Sequence, residues 1–237
     1  MQTIYTNKEL ALQRAKEAMG KSFGDINQII IDRGGKDGLS NTKGGLGNIL
    51  QEGWFNIPAN SFAEADLEEA GLEIKVTGYK PDVRHGGFKA KERLVCNIIN
   101  YETESLDDFY QSSFWQKNKS ILLFAYQYQI GVHRSEYTIV DAQLIDLSSP
   151  EFADDLQVIQ DDWRIITDKI RKGRAHQLSE SDTRFLGACT KGANSSSLRK
   201  QLYSTEWAMQ RAYSLKIQYL SVILKQRFEL SDASLAI

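Results

Sequence analysis

The chain has 237 residues, with 29 basic and 31 acidic side chains, 41% hydrophobic residues and three prolines, which excludes a disordered, collagenous or membrane protein. Two cysteines without CxxC spacing exclude a disulfide scaffold and favour a reducing cytoplasm, and no apolar stretch predicts a membrane span or a signal peptide. Charge is uneven, because residues 101–163 hold 3 basic and 12 acidic residues (net −9) and residues 164–237 hold 13 and 6 (net +7). The basic C-terminal third is either a footprint for a phosphate backbone or a solvated helix face.

The N-terminal part predicts two helices separated by a glycine-rich loop. A capping box of Thr6 and Glu9, apolar residues at helical spacing and a stop at Gly20 predict a helix over residues 7–19. The stretch 33–47 contains GGKDGLSNTKGGLG, which is too rich in glycine for regular structure and predicts a mobile loop. A short helix is expected over residues 48–55.

The rest of the chain predicts a sheet followed by helices. Strand-like runs that we expect to be neighbours in one mixed sheet cover residues 72–77, 93–99, 121–128 and 137–144. Ser149 and Pro150 predict the start of a long amphipathic helix that Gly173 ends, and a final helix is expected over 214–228. These elements predict a single α/β domain.

A pattern of two carboxylates and a lysine lies in AEADLEEAGLEIKVTGYK, residues 63–80. Asp66 lies seven residues before Glu73, and alternation along a strand puts Glu73 and Lys75 on one face, about 6.5–7 Å apart. Two carboxylates supply oxygen ligands for Mg²⁺, and a lysine can position a water molecule and add positive charge beside a phosphate. This D-x(n)-E-x-K pattern is that of metal-dependent nucleases, and the alternative is an ordinary ion pair on an exposed strand.

Five segments connect the chain to a known family. They are KGGLGNILQEGWF (43–55), ADLEEAGLEIKVTGYK (65–80), AKERLVCNIINYE (90–102), SSFWQKNKSILLFAY (112–126) and TKGANSSSLRKQ (190–201). In this order, and without large gaps, they resemble the MutH/Sau3AI family of GATC-specific DNA endonucleases, and most of all the N-terminal catalytic domain of its restriction enzymes.

The resemblance implies a fold, a reaction and a division of the chain. The fold is a PD-(D/E)xK restriction-endonuclease-like core, with a mixed central sheet flanked by helices. The reaction is Mg²⁺-dependent hydrolysis of double-stranded DNA at 5′-GATC that leaves 5′-phosphate ends. A single endonuclease domain, residues 1–237, would hold a catalytic part at about 40–145 and a DNA-reading part at about 175–230.

The resemblance also assigns catalytic roles by position. Asp66 and Glu73 match the two metal-binding carboxylates, Lys75 matches the catalytic lysine, and Lys117 matches a second active-site lysine. Family members carry a glutamate where this chain has Gln51, which is either a natural or an introduced replacement. Glu52 follows, but one residue along a helix turns the side chain by about 100°. We therefore expect the chain to bind DNA and to cut it slowly.

DNA contacts are assigned in the C-terminal part, where TKGANSSSLR (190–199) matches a base-contacting loop and RAYSLKIQY (211–219) matches the start of a groove-facing helix. Lys191 suits guanine in the major groove, serine and threonine hydroxyls are adaptable partners, and a glycine lets the backbone approach closely. Basic residues that flank them suit phosphate contacts. The expected DNA-binding residues are Thr190, Lys191, Gly192, Ser195, Arg199, Arg211, Ser214 and Lys216.

These matches favour a type II restriction endonuclease, with two alternatives. One is a strand-nicking mismatch-repair endonuclease of the MutH kind, which would depend on a partner protein. The other is a catalytically inactive, nuclease-like DNA-binding module. Gln51 argues for this alternative, and Asp66, Glu73 and Lys75 argue against it. Full-length relatives carry a C-terminal regulatory domain that is missing here. We expect a bacterial cytoplasmic location.

Overall fold

The strand that carries the Glu-x-Lys triplet lies inside a four-stranded sheet. The computed structural model describes residues 5–39, 45–59, 63–104 and 108–230. Within these ranges the helices are α1 (Lys8–Lys16), α2 (Phe23–Asp32), α3 (Leu46–Ile49), α4 (Ser113–Asn118), α5 (Ala153–Arg171) and α6 (Ile217–Arg227). The strands are β1 (Glu73–Pro81), β2 (Phe88–Ala90), β3 (Leu94–Ile98), β4 (Ser120–Gln127), β5 (Ile139–Asp146), β6 (Leu186–Thr190), β7 (Leu198–Gln201), β8 (Ser204–Met209) and β9 (Arg211–Leu215).

The chain divides into two compact units, the first from residues 1–92, 120–145 and 221–237 and the second from 93–119 and 146–220. No helix in the described part of the chain is both long and apolar enough to cross a membrane. The single endonuclease domain and its division into a catalytic and a DNA-reading part stay predictions.

The first unit is built on a mixed sheet with strand order β2-β1-β4-β5. β1 runs parallel to β4 and antiparallel to β2, and its register sets Glu73 beside Ile121 and Lys75 beside Leu123. β4 is buried along almost its whole length, as expected for a central strand that is covered on both faces. Side chains from α1, α2, α3 and the sheet share one apolar core, including Ala11, Ala15, Phe23, Ile26, Ile49, Leu122 and Phe124. A mixed sheet with flanking helices confirms the predicted α/β class.

The second unit contains an antiparallel sheet of order β3-β9-β6 and a separate β7–β8 hairpin. Its interior holds an acidic side chain, Glu104, which is 1% exposed. Tyr213 Oη and Trp163 Nε1 donate hydrogen bonds to its Oε1, and Ser113 Oγ donates to its Oε2. The buried carboxylate is therefore well supplied with donors, as a buried charge requires.

Several predicted elements are confirmed and three expectations are wrong. The strands at 121–128 and 137–144 appear as β4 and β5, and the long helix appears as α5, with Gly173 at a positive φ of 66° just after it. The expectation that the run at 93–99 lies beside β1 is wrong. Its residues 94–98 form β3, which pairs with β9 in the second unit. Asn7, and not the predicted Thr6, caps α1, since its side chain accepts a hydrogen bond from Leu10 N.

The predicted groove-facing helix over 211–219 is also wrong at its start. Residues 211–215 form β9, the middle strand of its sheet, and the helix begins only at Ile217. Ala212, Tyr213, Ser214 and Leu215 are all buried, and a strand buried on both faces has no alternating pattern to distinguish it from a helix. The helix α2 was not predicted, although its Ser22–Asp25 capping box is visible in the sequence.

Candidate active site

A tight turn brings the first carboxylate to the start of β1. Leu67 and Leu72 pair through two backbone hydrogen bonds of 2.9 and 3.2 Å, and Gly71 closes the turn between them with a φ of +63°. Continued by one residue, this antiparallel register sets Asp66 opposite Glu73, with both side chains on the same face. Asp66 Oδ2 accepts a hydrogen bond from Ile74 N at 2.9 Å, which fixes the carboxylate beside the strand.

Glu73 and Lys75 lie together, as the alternation predicts. Lys75 Nζ is 2.7 Å from Glu73 Oε1, and the two side chains are only 16% and 4% exposed. An ordinary surface pair would be solvated, so the alternative of an exposed cross-face ion pair is wrong. Removing two charges from water costs free energy that their attraction often fails to repay. A buried pair at a strand end therefore indicates a functional use of its charges.

Gln51 is buried where the resemblance expects a glutamate. It belongs to a π-helical turn, Leu50–Trp54, that follows α3, and π turns are frequent at functional sites. Its side chain is 5% exposed, and its Nε2 has no hydrogen-bond partner within the residues that the structure describes. Glu52 is only partly buried and its Oε1 accepts from Ala59 N at 3.4 Å. The neighbouring carboxylate is thus directed to another backbone segment, as the helical rotation predicts.

The oxygen donors near β1 suit a hard divalent cation, although with less charge than a three-carboxylate set. No group of three or more Asp, Glu, His or Cys side chains that could hold a metal occurs in the described parts of the chain. The expected donors are the carboxylates of Asp66 and Glu73 with the amide oxygen of Gln51, all of which are types that Mg²⁺ accepts. An amide whose nitrogen is buried without an acceptor is consistent with an oxygen that faces a cation. These residues therefore fit Mg²⁺ binding of reduced strength.

Lys117 belongs to the second unit, in the last turn of α4, and its side chain is half-buried. Ser112 caps that helix by accepting a hydrogen bond from Trp115 N at 3.2 Å. The helix therefore holds the lysine in a defined position within its own unit. Its catalytic role stays a prediction.

Most of the predicted DNA-reading residues lie on one exposed segment of the second unit. Thr190 ends β6, Arg199 lies in β7, and Lys191, Gly192 and Ser195 lie in the loop between them, all with exposed side chains or backbone. We call residues 191–197 the reading loop. Its ends are tied to Gln210, between β8 and β9: Lys191 N donates to Gln210 O at 2.9 Å, and Ser197 O accepts from Gln210 N at 2.8 Å.

The reading loop has an internal structure that requires its glycine. Asn194 Oδ1 accepts from Ser196 N at 3.0 Å, which folds the chain back as in an Asx turn. A Cβ at Gly192 would stand 2.6 Å from Ser197 Oγ and closer still to Ser197 Cβ. Gly192 is therefore needed for packing inside the loop, in addition to the predicted close approach to DNA.

The side chains of the three remaining predicted DNA contacts are buried or hydrogen-bonded inside their own unit. Lys216 Nζ donates to the carbonyl oxygens of Glu180 and Thr183 at 2.7 and 2.5 Å. Ser214 is completely buried. Arg211 is only partly exposed, and its Nη1 donates to Ala188 O at 2.8 Å. Burial thus shields Ser214 from solvent, whereas Arg211 and Lys216 are partly exposed and bind carbonyl oxygens of their own unit, and their contact with DNA stays a prediction.

One supporting residue, Asp162, was not identified from the sequence. The Asp162 carboxylate, 2% exposed, accepts hydrogen bonds from the backbone nitrogens of Arg184, Phe185 and Leu186 at 2.9, 2.6 and 2.8 Å. It thereby fixes the start of β6, the strand that leads into the reading loop. The available signal was an acidic residue beside Trp163 in the buried stripe of a long helix.

Comparisons with known proteins agree with this geometry. Residues 55–162, which include Asp66, Glu73, Lys75 and Lys117, match the family model described as DNA mismatch repair enzyme MutH. Over 222 residues, or 94% of its length, the chain is 40% identical to the type II restriction enzyme Sau3AI of Staphylococcus aureus. The chain spans 43% of the length of that enzyme. With the carboxylates and lysine of the family pattern at the start of β1, the chain is similar to the MutH/Sau3AI-type endonucleases.

Proposed function

We propose that the chain is the catalytic part of a Mg²⁺-dependent type II restriction endonuclease that cuts duplex DNA at 5′-GATC and leaves 5′-phosphate ends. The observation that carries the proposal is the buried Glu73–Lys75 pair with Asp66 beside it, inside a chain that is similar to DNA endonucleases. Two carboxylates can hold a divalent metal ion and a lysine can position the attacking water, which suits metal-assisted phosphodiester hydrolysis.

Each side chain has a separate task in this reaction. Mg²⁺, when bound, lowers the pKa of a water molecule and stabilises negative charge on the phosphate. Asp66 and Glu73 would hold the cation. Lys75, anchored by Glu73, directs a hydrogen bond toward the attacking water and adds positive charge near the scissile phosphate. Lys117 supports the phosphate as a second cation.

Gln51 reduces the rate in this proposal without changing the fold. An amide has nearly the size of a carboxylate and keeps one acceptor oxygen, but it contributes no negative charge to a cation. Metal affinity at such sites follows the number of charged ligands. The chain is therefore expected to bind DNA normally and to cleave it slowly.

Sequence recognition is assigned to the reading loop. Lys191 is exposed and can donate to guanine O6 and N7, and the hydroxyls of Thr190 and Ser195 can contact neighbouring bases. Arg199 beside the loop is suited to a phosphate. The net charge of +7 over residues 164–237 supports binding to a phosphate backbone in this part of the chain.

The cellular setting is part of the same proposal. The S. aureus relative is more than twice as long as the matched region, so we propose that a further C-terminal segment regulates the activity of the complete enzyme. Two buried cysteines outside any disulfide, Cys96 and Cys189, and a bacterial relative support a bacterial cytoplasmic location.

Digestion of supercoiled plasmid tests the proposal. One plasmid carries a single GATC site and the other carries none, and each is incubated with the protein in Mg²⁺ or in EDTA. Linear product from the first plasmid alone, only with Mg²⁺, is the expected result. Persistent open circles would instead support the MutH-like nicking enzyme, which the family match favours. A gel shift without cleavage, even after prolonged incubation, would support the inactive binding module, which Gln51 favours.

A further inference from the structure

The β7–β8 hairpin exposes a concentrated group of large apolar side chains. Leu198, Leu202, Tyr203 and Trp207 are 38%, 46%, 53% and 54% exposed, and all four lie within ten residues. Single apolar residues on a surface are ordinary, whereas a contiguous group marks a contact surface. We call these four residues and Lys200 the hairpin patch.

The opposite side of the hairpin is firmly anchored in the second unit. Gln201 Oε1 accepts from Ala175 N at 2.7 Å, and its Nε2 donates to Glu206 O at 2.7 Å. Ala208 is fully buried, and the carbonyl oxygen of Tyr203 packs directly against Gly173 Cα, where a side chain would not fit. The hairpin patch is therefore presented on a rigid support, since a two-stranded hairpin without such contacts is only marginally stable.

The charges around the hairpin patch are of one sign. Lys200 Nζ lies 5.8 Å from the ring centroid of Trp207, a cation–π arrangement. Glu206 is adjacent in sequence, but alternation along β8 turns it to the other face, where its Oε2 lies 3.3 Å from His176 Nε2. Arg199 pairs with Ala208 and therefore lies on that other face as well, so Lys200 is the charge next to Trp207. A partner of this surface therefore has apolar faces and negative charge.

The hairpin patch is directly joined to the reading loop. Gln210, three residues after Trp207, forms both backbone hydrogen bonds that close the loop, with Ser197 O at 2.8 Å and with Lys191 N at 2.9 Å. We propose that the hairpin patch is a second, sequence-independent contact to duplex DNA, with Trp207 against sugars and base edges and Lys200 at a phosphate. This inference rests on the proposed binding of DNA by the reading loop.

Fluorescence anisotropy tests the inference in Ca²⁺, which we use in place of Mg²⁺ to limit cleavage. The protein is titrated into two labelled duplexes of equal composition, with and without GATC. Trp207→Ala is expected to weaken binding to both duplexes by the same factor, about tenfold, as truncation of a tryptophan anchor commonly does. Trp207→Phe is expected to retain most of the affinity. Ile165→Ala, on an exposed apolar residue of α5, is the matched control and should bind like the parent.

A second variant distinguishes a direct contact with DNA from an indirect effect on folding. Lys200→Met is expected to lower the slope of log K against log salt by about one, the value for one phosphate contact. Unchanged affinity of Trp207→Ala together with an unchanged slope of Lys200→Met would overturn the inference. The same holds if Trp207→Ala alters the sedimentation of the protein and leaves DNA affinity unchanged, because the patch would then bind protein. Failure of the parent protein to bind either duplex would instead refute the proposed function.

Discussion

Lys75 Nζ donates to Glu73 Oε1 across 2.7 Å at a site where water reaches only 4% of the Glu73 side chain. The pair is close to fully desolvated on the carboxylate side, which makes each charge dependent on the other. The ammonium thereby directs the carboxylate that we propose as a metal ligand. The same contact keeps the lysine ammonium at the end of the strand.

Replacement of Lys75 by Met is expected to abolish cleavage and to destabilise the first unit. The substitution leaves the Glu73 carboxylate buried without its cation, a loss of about 3 kcal/mol for a buried pair. Denaturant titration measures this change, and plasmid digestion measures the activity. The double variant Glu73→Gln with Lys75→Met removes both charges and should recover most of the stability but none of the activity. A double variant no more stable than Lys75→Met would contradict this account of the pair.

Replacement of Gln51 by Glu is expected to raise the rate of Mg²⁺-dependent cleavage by at least about tenfold, because it adds a charged oxygen ligand at a buried position. Glu52→Gln is the matched control, since Glu52 is turned toward Ala59 N and should not affect the rate. Initial rates of plasmid digestion at several Mg²⁺ concentrations measure both. Equal rates for the parent and Gln51→Glu would refute the proposed attenuation.

Two lysines that the sequence assigns to DNA are expected to behave differently. Lys191 is exposed in the reading loop, so Lys191→Met should weaken binding to GATC duplexes more than to other duplexes. Lys216 is held by the carbonyl oxygens of Glu180 and Thr183, so Lys216→Met should lower the melting temperature and leave the salt dependence of DNA binding unchanged. A reduced salt slope for Lys216→Met would show that its side chain reaches DNA.

Alkaline pH is expected to destabilise the protein between about pH 10 and 12. Burial raises the pKa of Tyr126 and of Tyr101 to about 12, so the folded chain retains protons that the unfolded chain loses above its ordinary pKa of 10. Their contribution to stability is therefore complete below pH 10 and falls as the pH rises. Urea unfolding from pH 8 to 12 should show a shallower decline for Tyr126→Phe than for the parent, while Tyr203→Phe, at an exposed position, should match the parent.

Elements with a local cause were predictable from the sequence. Gly173 ends α5 at a positive φ, and the apolar run at β4 reads as a strand that is covered on both faces. Residues 211–215 were not predictable in the same way, since β9 is buried on both faces and carries no period of two. The pairing of β3 with β9 could not be predicted from local sequence patterns either, because the two strands lie more than a hundred residues apart.

In the candidate site, too, some features follow from the local sequence and others depend on tertiary packing. Alternation alone places Glu73 and Lys75 on one face, and the structure confirms their contact. Burial of the pair distinguishes a functional site from a surface ion pair. It depends on the packing of a whole sheet, so the Glu-x-Lys triplet alone does not predict it. Lys216 was assigned to phosphate because it is basic, whereas its position beside two carbonyl oxygens is a tertiary property.

The packing of Gly53 has a consequence for how this nuclease family can vary. A Cβ at Gly53 would stand 2.6 Å from Ile26 O, so the π-helical turn lies directly against α2 and a larger residue would not fit there. Position 51 lies in this closely packed turn and is buried. Glutamine and glutamate differ there by one atom, and their codons differ at one base. If Gln51→Glu raises cleavage as expected, a single nucleotide change can adjust the cleavage rate of this chain through one buried side chain.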